Sequence, residues 1–386
     1  MTEYKKIVRG LFIFLCTAFS FYSFAQADLP CDKDATKETK ALYSNLKKLA
    51  QKGFMFGHQD ALAYGVTWKY EKSRSDVKDV TGDYPAVYGW DLGGIERDNS
   101  TVNLDGVPFN KMKQFIKEGY ERGGVITISW HADSPWGNGK NAWDTTHGTV
   151  TSILPSGVNH ELFKSWLDKV ADFISSLKGS KGEAIPILFR PFHELTGNWF
   201  WWCRNTCSEE EFKTLWRFVS YYLQQEKGLH NLLYVYNTSG DFKSKEEFLQ
   251  RYPGDDKVDM LSFDAYQYDD PQKNDWFVKN TNSLLQMAGE AANEKNKLFA
   301  FGETGYEAIP YANWWTNTLL KAIGDNKISY VLLWRNHGLA AWNGKMHYYA
   351  PYKGQVSEND FVQFYKLPKT IFEKEAAAEK LYSNGN

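Results

Sequence analysis

Eight short β-prone runs, spread along the chain and mostly stopping on a polar or aromatic residue, constrain this sequence more than any other feature. They are Gly53–Gly57, Pro85–Trp90, Gly124–Trp130, Ala184–Phe189, Leu232–Tyr236, Val258–Phe263, Leu298–Gly302 and Ile328–Trp334. Longer amphipathic segments lie between them, at Asn110–Arg122, Asn159–Leu177, Ser208–Lys227, Asp275–Glu294 and Tyr311–Gly324. A further helix-like stretch, Asp34–Lys52, precedes the first run, with Leu42, Leu46 and Leu49 at helical spacing. Ser208-Glu-Glu-Glu211 has the capping-box pattern that starts a helix. Strands that alternate with helices pair in parallel, and eight such units allow the sheet to close on itself. An open doubly wound sheet is the alternative, but no Gly-rich phosphate fingerprint follows any of the runs. The expected fold is α/β, a single (β/α)8 TIM barrel spanning 28–386.

A length of 386 residues suits one such barrel with insertions. The formal net charge of -2 and the absence of a basic stripe exclude nucleic acid as a partner. Residues 1–27 read as a signal peptide. Lys5, Lys6 and Arg9 precede an apolar stretch from Leu11 to Phe24, and small residues follow at Ala25-Gln-Ala27. Phe14-Leu15 stands before Cys16, where a lipoprotein signal requires a small residue, so the leader reads as plain export to the periplasm or beyond the cell. No later run is long and apolar enough for a membrane span. No exposed motif implies a protein partner, and a monomer is expected. Cys203 and Cys207 lie four apart on an expected loop and could pair in an exported protein; a zinc site lacks the companion ligands it would need.

In a barrel of this kind the carboxyl ends of the strands converge on one face, where the site lies. The residues there are His58 and Gln59, Asp91, Trp130 and His131, Arg190 with His193 and Glu194, Asn237, Asp264 with Tyr266, Glu303, and Trp334 with Arg335. Glu194 and Glu303 stand out, after the fourth and seventh runs. Two carboxyl groups facing each other across a barrel mouth are what glycoside hydrolysis uses: one protonates the departing oxygen, the other attacks the anomeric carbon or activates water. Arg190 and Tyr266 could hold the Glu303 carboxylate for attack, whereas Glu194, beside His193 and a wall of indoles, is placed to keep a proton. Either glutamate alone could be an ordinary ion-paired residue; the two in register with the barrel favour catalysis. No metal and no cofactor is called for.

Aromatic residues make up 16% of the chain, with 15 Trp and 23 Tyr, and they cluster more tightly than a core requires. Flat apolar rings are natural platforms for sugars. Trp334 is the expected platform; Trp199, Trp201 and Trp202 cannot all line a cleft, so at least one packs inside. His131 and His193 are expected to hydrogen-bond a sugar or a carboxylate, with a purely structural role as the alternative. Two long loops, 131–159 and 336–356, are rich in aromatic residues and read as functional. The last stretch, Phe372–Lys380, reads as a solvated terminal helix.

The segment Arg190-Pro-Phe-His-Glu-Leu-Thr-Gly-Asn-Trp-Phe-Trp-Trp202 resembles the His-Glu-x-x-Gly-x-Trp-x-Trp motif of glycoside hydrolase family 26, whose members include β-mannanases. Gly302-Glu303 is similar to that family's nucleophile strand. Phe56-Gly-His-Gln59, Ser129-Trp-His131, Asp264-Ala-Tyr266 and Leu333-Trp334 extend the likeness over nearly the whole mature chain. The resemblance implies a retaining double displacement on β-1,4-mannosidic bonds of mannan, glucomannan or galactomannan, with Glu194 as acid/base and Glu303 as nucleophile. It makes His58, His131, Arg190, His193, Trp199, Tyr266 and Trp334 substrate-binding or supporting residues. Leu195-Thr196 stands where the family often has Met-Asn. Mixed-linkage β-glucan or xylan as substrate, or a sugar-binding barrel without catalysis, are the alternatives. If the two long loops wall off one end of the cleft, the product is mannobiose.

Overall fold

The computed structural model describes residues 29–383 apart from Trp342, so the expected leader lies outside the described residues. Eight parallel strands form the barrel: β1 (Phe54–Gln59), β2 (Val87–Asp91), β3 (Val125–Trp130), β4 (Ile187–Pro191), β5 (Leu232–Ser239), β6 (Met260–Asp264), β7 (Leu298–Thr304) and β8 (Tyr330–Leu333). Each pairs with the next, and β8 pairs back with β1 from Met55↔Tyr330 to His58↔Leu333, which closes the cylinder. Each of the eight expected runs overlaps one of these strands. Every residue in them is buried. That is why they read as unbroken apolar runs rather than alternating ones: a parallel barrel strand is covered on both faces.

The helices also follow the sequence pattern. Lys37–Lys52, Phe109–Glu121, His160–Ser175, Glu209–Tyr221 and Trp276–Glu294 each bury one stripe. In His160–Ser175 the stripe is Phe163, Trp166, Leu167, Val170, Ala171 and Ile174, the three-and-four spacing of a helix face. The Ser208 and Glu211 side chains cap each other's backbone at the start of Glu209–Tyr221.

Leu42, Leu46 and Leu49 of Lys37–Lys52 pack with Met55, Val87, Val125, Leu188, Leu233, Met260 and Leu298, so this helix seals the amino-terminal end of the barrel. Burying a leucine of this kind stabilises by roughly 1.5–3 kcal/mol. The opposite end stays open, and the strands deliver their polar last residues there.

The chain's end departs from expectation. Glu373–Ala378 is helical but is not a solvated appendage. Thr370–Ile371 adds to the sheet beside Phe54 and Met55, and the Phe372 ring stacks on Phe56 at 4.9 Å. Glu373 is buried and accepts from the Tyr88 hydroxyl and from Arg122 Nε at 2.9 Å. Its local sequence, Glu-Lys-Glu-Ala-Ala-Ala, is polar enough to look solvated; the docking is a tertiary event.

Candidate active site

β4 ends at Pro191 and the backbone then bends hard. Phe192 and Glu194 both sit in the left-handed region, at φ of 54° and 52°. Side-chain-bearing residues enter that region only when the surroundings force them to. Here the forcing groups are visible. The Glu194 carbonyl accepts from Gly197 N at 2.8 Å and from the Cys203 thiol at 3.4 Å. The Trp202 indole donates to the His193 carbonyl at 2.8 Å, and the buried Arg251 guanidinium donates to the carbonyls of Leu195, Trp202, Cys207 and Ser208.

The possible Cys203–Cys207 bridge is not formed. Both are free thiols, each spent on backbone carbonyls: Cys203 on Glu194, and Cys207 on Trp202 and Cys203. Burial pushes the Cys203 thiol up to about 12, so it stays a neutral donor. Trp201 and Trp202 are fully buried, with the Trp201 indole on the Ala132 carbonyl at 3.0 Å. Of the three indoles, only Trp199 faces the opening, and it donates to Glu194 Oε2 at 2.7 Å.

Glu303 lies across the barrel mouth on β7. Arg190 donates to its Oε1, and the Tyr266 hydroxyl donates to its Oε2 at 2.8 Å. Arg190 also reaches Asp264 at 3.0 Å, and Asn237 donates to the same Asp264 oxygen at 2.8 Å. Gly302 is required by this crowding: a Cβ there would lie 2.2 Å from Asn237 Oδ1 and 2.6 Å from Asp264 Oδ1. Glu194 is in a different setting. Burial, then the negative charge of Glu303, push its carboxyl up to about 7 despite the Trp199 hydrogen bond. One carboxyl is thus gripped by a guanidinium and a phenol, and the other is biased to hold a proton at neutral pH.

A histidine relay packs alongside. His131 Nδ1 meets Asp91 Oδ2 at 2.7 Å, and His131 Nε2 meets His193 Nε2 at 3.1 Å. Burial works against charge on His131, but Asp91 overrides it and the ring is held above its usual value. His193 is held well below, first by burial and then by His131 and Arg190. One ring must donate and the other accept across this contact, and the opposite shifts favour His131 as the donor.

Three residues expected to touch a sugar do not reach the surface. His58, Arg190 and His193 are each about 1% exposed and act from behind the lining. Burial depresses His58 to about 4, beside Asn336 and the Trp334 backbone. His131, at 8% exposed, and half-buried Trp199 and Trp334 stand nearer the opening, the His131 and Trp334 ring centres 6.5 Å apart.

Asp60, Tyr64 and Asp105 escaped the sequence reading. Arg335 pairs with Asp105, and Tyr64 donates to Asp60 at 2.5 Å, beside the floor of the mouth. Burial and the nearby Asp105 hold the Asp60 carboxyl well above the usual range. The Arg335–Asp105 pair joins loops far apart in sequence, so no local motif announces it. Among the described residues, the histidine–acid group with metal-ligand spacing is Asp32, Asp34 and His230. His230 precedes β5, so that group belongs to the opposite end of the barrel from Glu194 and Glu303.

A cavity of about 470 Å³ opens beside Glu194, lined by residues that follow β3, β4, β5 and β6, the start of the helix Trp276–Glu294 included. No described helix is long and apolar enough to cross a membrane.

Comparison with known proteins finds the same fold. A structure of a GH26 β-mannanase from Bacteroides ovatus superposes with a TM-score of 0.82 at 46% identity, over 88% of this chain and 96% of that one. The catalytic domain of a GH26 endo-β-1,4-mannanase from a Bacillus species gives 0.83 at 32% identity, covering 93% and 97%. A mannan endo-1,4-β-mannosidase of Bifidobacterium adolescentis is 32% identical over 88% of this chain, which spans 35% of that relative's length. The model of glycosyl hydrolase family 26 matches residues 31–349, and the chain belongs to that family.

Proposed function

We propose that the chain is a retaining β-mannanase that cleaves β-1,4-mannosidic bonds, with Glu194 as acid/base and Glu303 as nucleophile. The observation that carries this reading is the contrast between the two carboxyl groups: Glu303 fixed by Arg190 and Tyr266, Glu194 pushed up to about 7. Glu194 gives its proton to the glycosidic oxygen as Glu303 attacks the anomeric carbon. The bond to the leaving sugar breaks and an ester to Glu303 forms. Water, losing a proton to Glu194, then opens that ester with return of the original configuration. Arg190, itself held by Asp264, positions Glu303 from behind the lining; His131, Trp199 and Trp334 are the side chains placed to meet the sugar.

Mannan as the substrate is supported by the names of the three relatives above, two mannanases and a mannan endo-1,4-β-mannosidase. Export is supported by the charged and apolar leader of residues 1–27. Release of mannobiose follows if the two long loops, 131–159 and 336–356, close one end of the cleft.

The test is hydrolysis of a panel of β-1,4-mannan, xylan and mixed-linkage β-glucan by the parent, Glu194→Ala and Glu303→Ala proteins, with product anomers followed by NMR. Hydrolysis confined to mannans, initial β-anomers and loss of turnover in Glu303→Ala are expected. Unchanged turnover in that variant removes the nucleophile assignment, and preference for another polymer removes the mannan reading. Early mixed oligomers from long mannan would exclude the closed cleft.

A further inference from the structure

Beyond the two glutamates lies a structured surface with no role yet. Among the described residues the strongly exposed aromatic side chains are Trp136, Trp143, Tyr221, Tyr268 and Trp276. Three of them, Trp143, Tyr268 and Trp276, line the same 470 Å³ cavity, at 50%, 83% and 58% exposure. Rings gathered on one concavity, rather than scattered singly, mark a binding surface. The cavity's volume falls within the ~300–1,000 Å³ range of small-ligand sites.

The supports of these rings are fixed although the rings are wet. Beyond the end of β6, Ala265 N donates to the Glu303 carbonyl at 3.1 Å and Gln267 N to the Gly305 carbonyl at 2.9 Å, so the pairing with β7 runs up to the residue before Tyr268. Trp276 opens the helix Trp276–Glu294, its N–H on Asn274 Oδ1 at 3.1 Å. Trp143 lies face to face with His131 at 5.3 Å. Ser239, Asp241 and Asn280 add polar groups to the same lining.

The side of the cleavage point is fixed by which carboxyl the cavity touches. Glu194 lines it and Glu303 does not. A general acid stands against the departing oxygen, so the space beyond it receives the departing sugar. Resting on the retaining-mannanase reading above, we propose that Tyr268 and Trp276, with Trp143, form the platform for the leaving-group part of the chain. Its ligand is a β-linked hexose segment that lays its apolar C–H faces on the rings. Tyr268 and Trp276 are specificity-determining residues that favour substrates extending past the cleaved bond.

The experiment compares the parent, Tyr268→Ala and Trp276→Ala on mannohexaose and on an aryl β-mannobioside, whose small aryl group does not extend over the platform. Each variant is expected to lose about tenfold in kcat/KM on mannohexaose, mostly through KM, and to stay within about twofold of the parent on the aryl substrate. Both side chains are more than half exposed, so folding is not at stake, and melting temperatures check this. Parental kinetics of both variants on mannohexaose overturn the platform, as do equal losses on the two substrates. A parent that cleaves neither substrate overturns the mannanase reading, and the platform with it; a parent that cleaves both confines any failure to the platform.

Discussion

Arg190 on β4 donates to the Glu303 carboxylate on β7, 113 residues further along the chain. The same guanidinium holds Asp264, and at 1% exposure it has no water to turn to. Two carboxyl groups side by side in a dry barrel mouth would repel; one delocalised cation between them makes the arrangement tolerable. We expect Arg190→Met to destabilise the fold by about 3–5 kcal/mol, since it leaves buried acids unmatched. Urea unfolding measures this, and a loss well below that range would show that Arg190 is not what holds the pair. Arg190→Lys keeps the charge but loses the fork, and should recover part of the stability and little of the activity.

Glu194 sets a pH dependence whose sign can be worked through. Its folded value, about 7, lies above the 4.5 of a free glutamate, so the folded state favours the protonated form. The associated stability is complete below the free value and is lost as pH rises through about 7. Activity that needs the proton should fall along the same limb. We expect kcat/KM to decline with an apparent value near 7, and Glu194→Gln to melt higher than the parent at pH 8 but not at pH 4. Equal melting shifts at both pH values would mean that the carboxyl is not held neutral.

The thiols give a third expectation. Cys203 and Cys207 each serve a carbonyl, and neither is bridged. A reductant should leave the melting temperature unchanged, and thiol reagents should label neither residue without denaturant. Cys203→Ser is expected to retain activity better than Cys203→Val, because only the hydroxyl can still donate to the Glu194 carbonyl. If the reductant lowers the melting temperature, the free-thiol account is wrong.

What could be read in advance follows from where each signal resides. Barrel strands announce themselves because both faces are covered, so Gly124–Trp130 or Leu298–Gly302 needs no context to be recognised. Glu194, Glu303 and Tyr266 were legible because the barrel sends every strand end to one mouth. Depth within that mouth was not. His58, Arg190 and His193 carry the same polar signature as Trp199 and Trp334, and only packing decides that they stand behind the wall. Arg251 was invisible for a related reason: the carbonyls it gathers exist as a set only once Phe192 and Glu194 have taken left-handed backbone. Asp60, Asp105 and Arg335 meet only when loops after β1, β2 and β8 converge.

The docked terminus supplies the last expectation, since it was the element read least well. Glu373 sits in a triangle with Tyr88 and Arg122, while Arg122 also donates to the Tyr88 hydroxyl at 2.8 Å and lies 4.1 Å over the Tyr84 ring. Burial pushes the Glu373 carboxyl up, and Tyr88 and Arg122 draw it back only in part. Replacing Glu373 with Ala leaves Arg122 with two aromatic rings and no counter-charge. We expect a loss of about 3 kcal/mol in unfolding free energy, in line with breaking a buried pair from one side. Because the triangle lies against the outer side of β2, away from the mouth, kcat on mannan should stay within about twofold of the parent at a temperature where both are folded. Tyr88→Phe should cost less, since Arg122 and Glu373 still meet. A fall in kcat without a fall in stability would mean that the terminus acts on the site rather than on the barrel, and the role assigned to Glu373 would have to be abandoned.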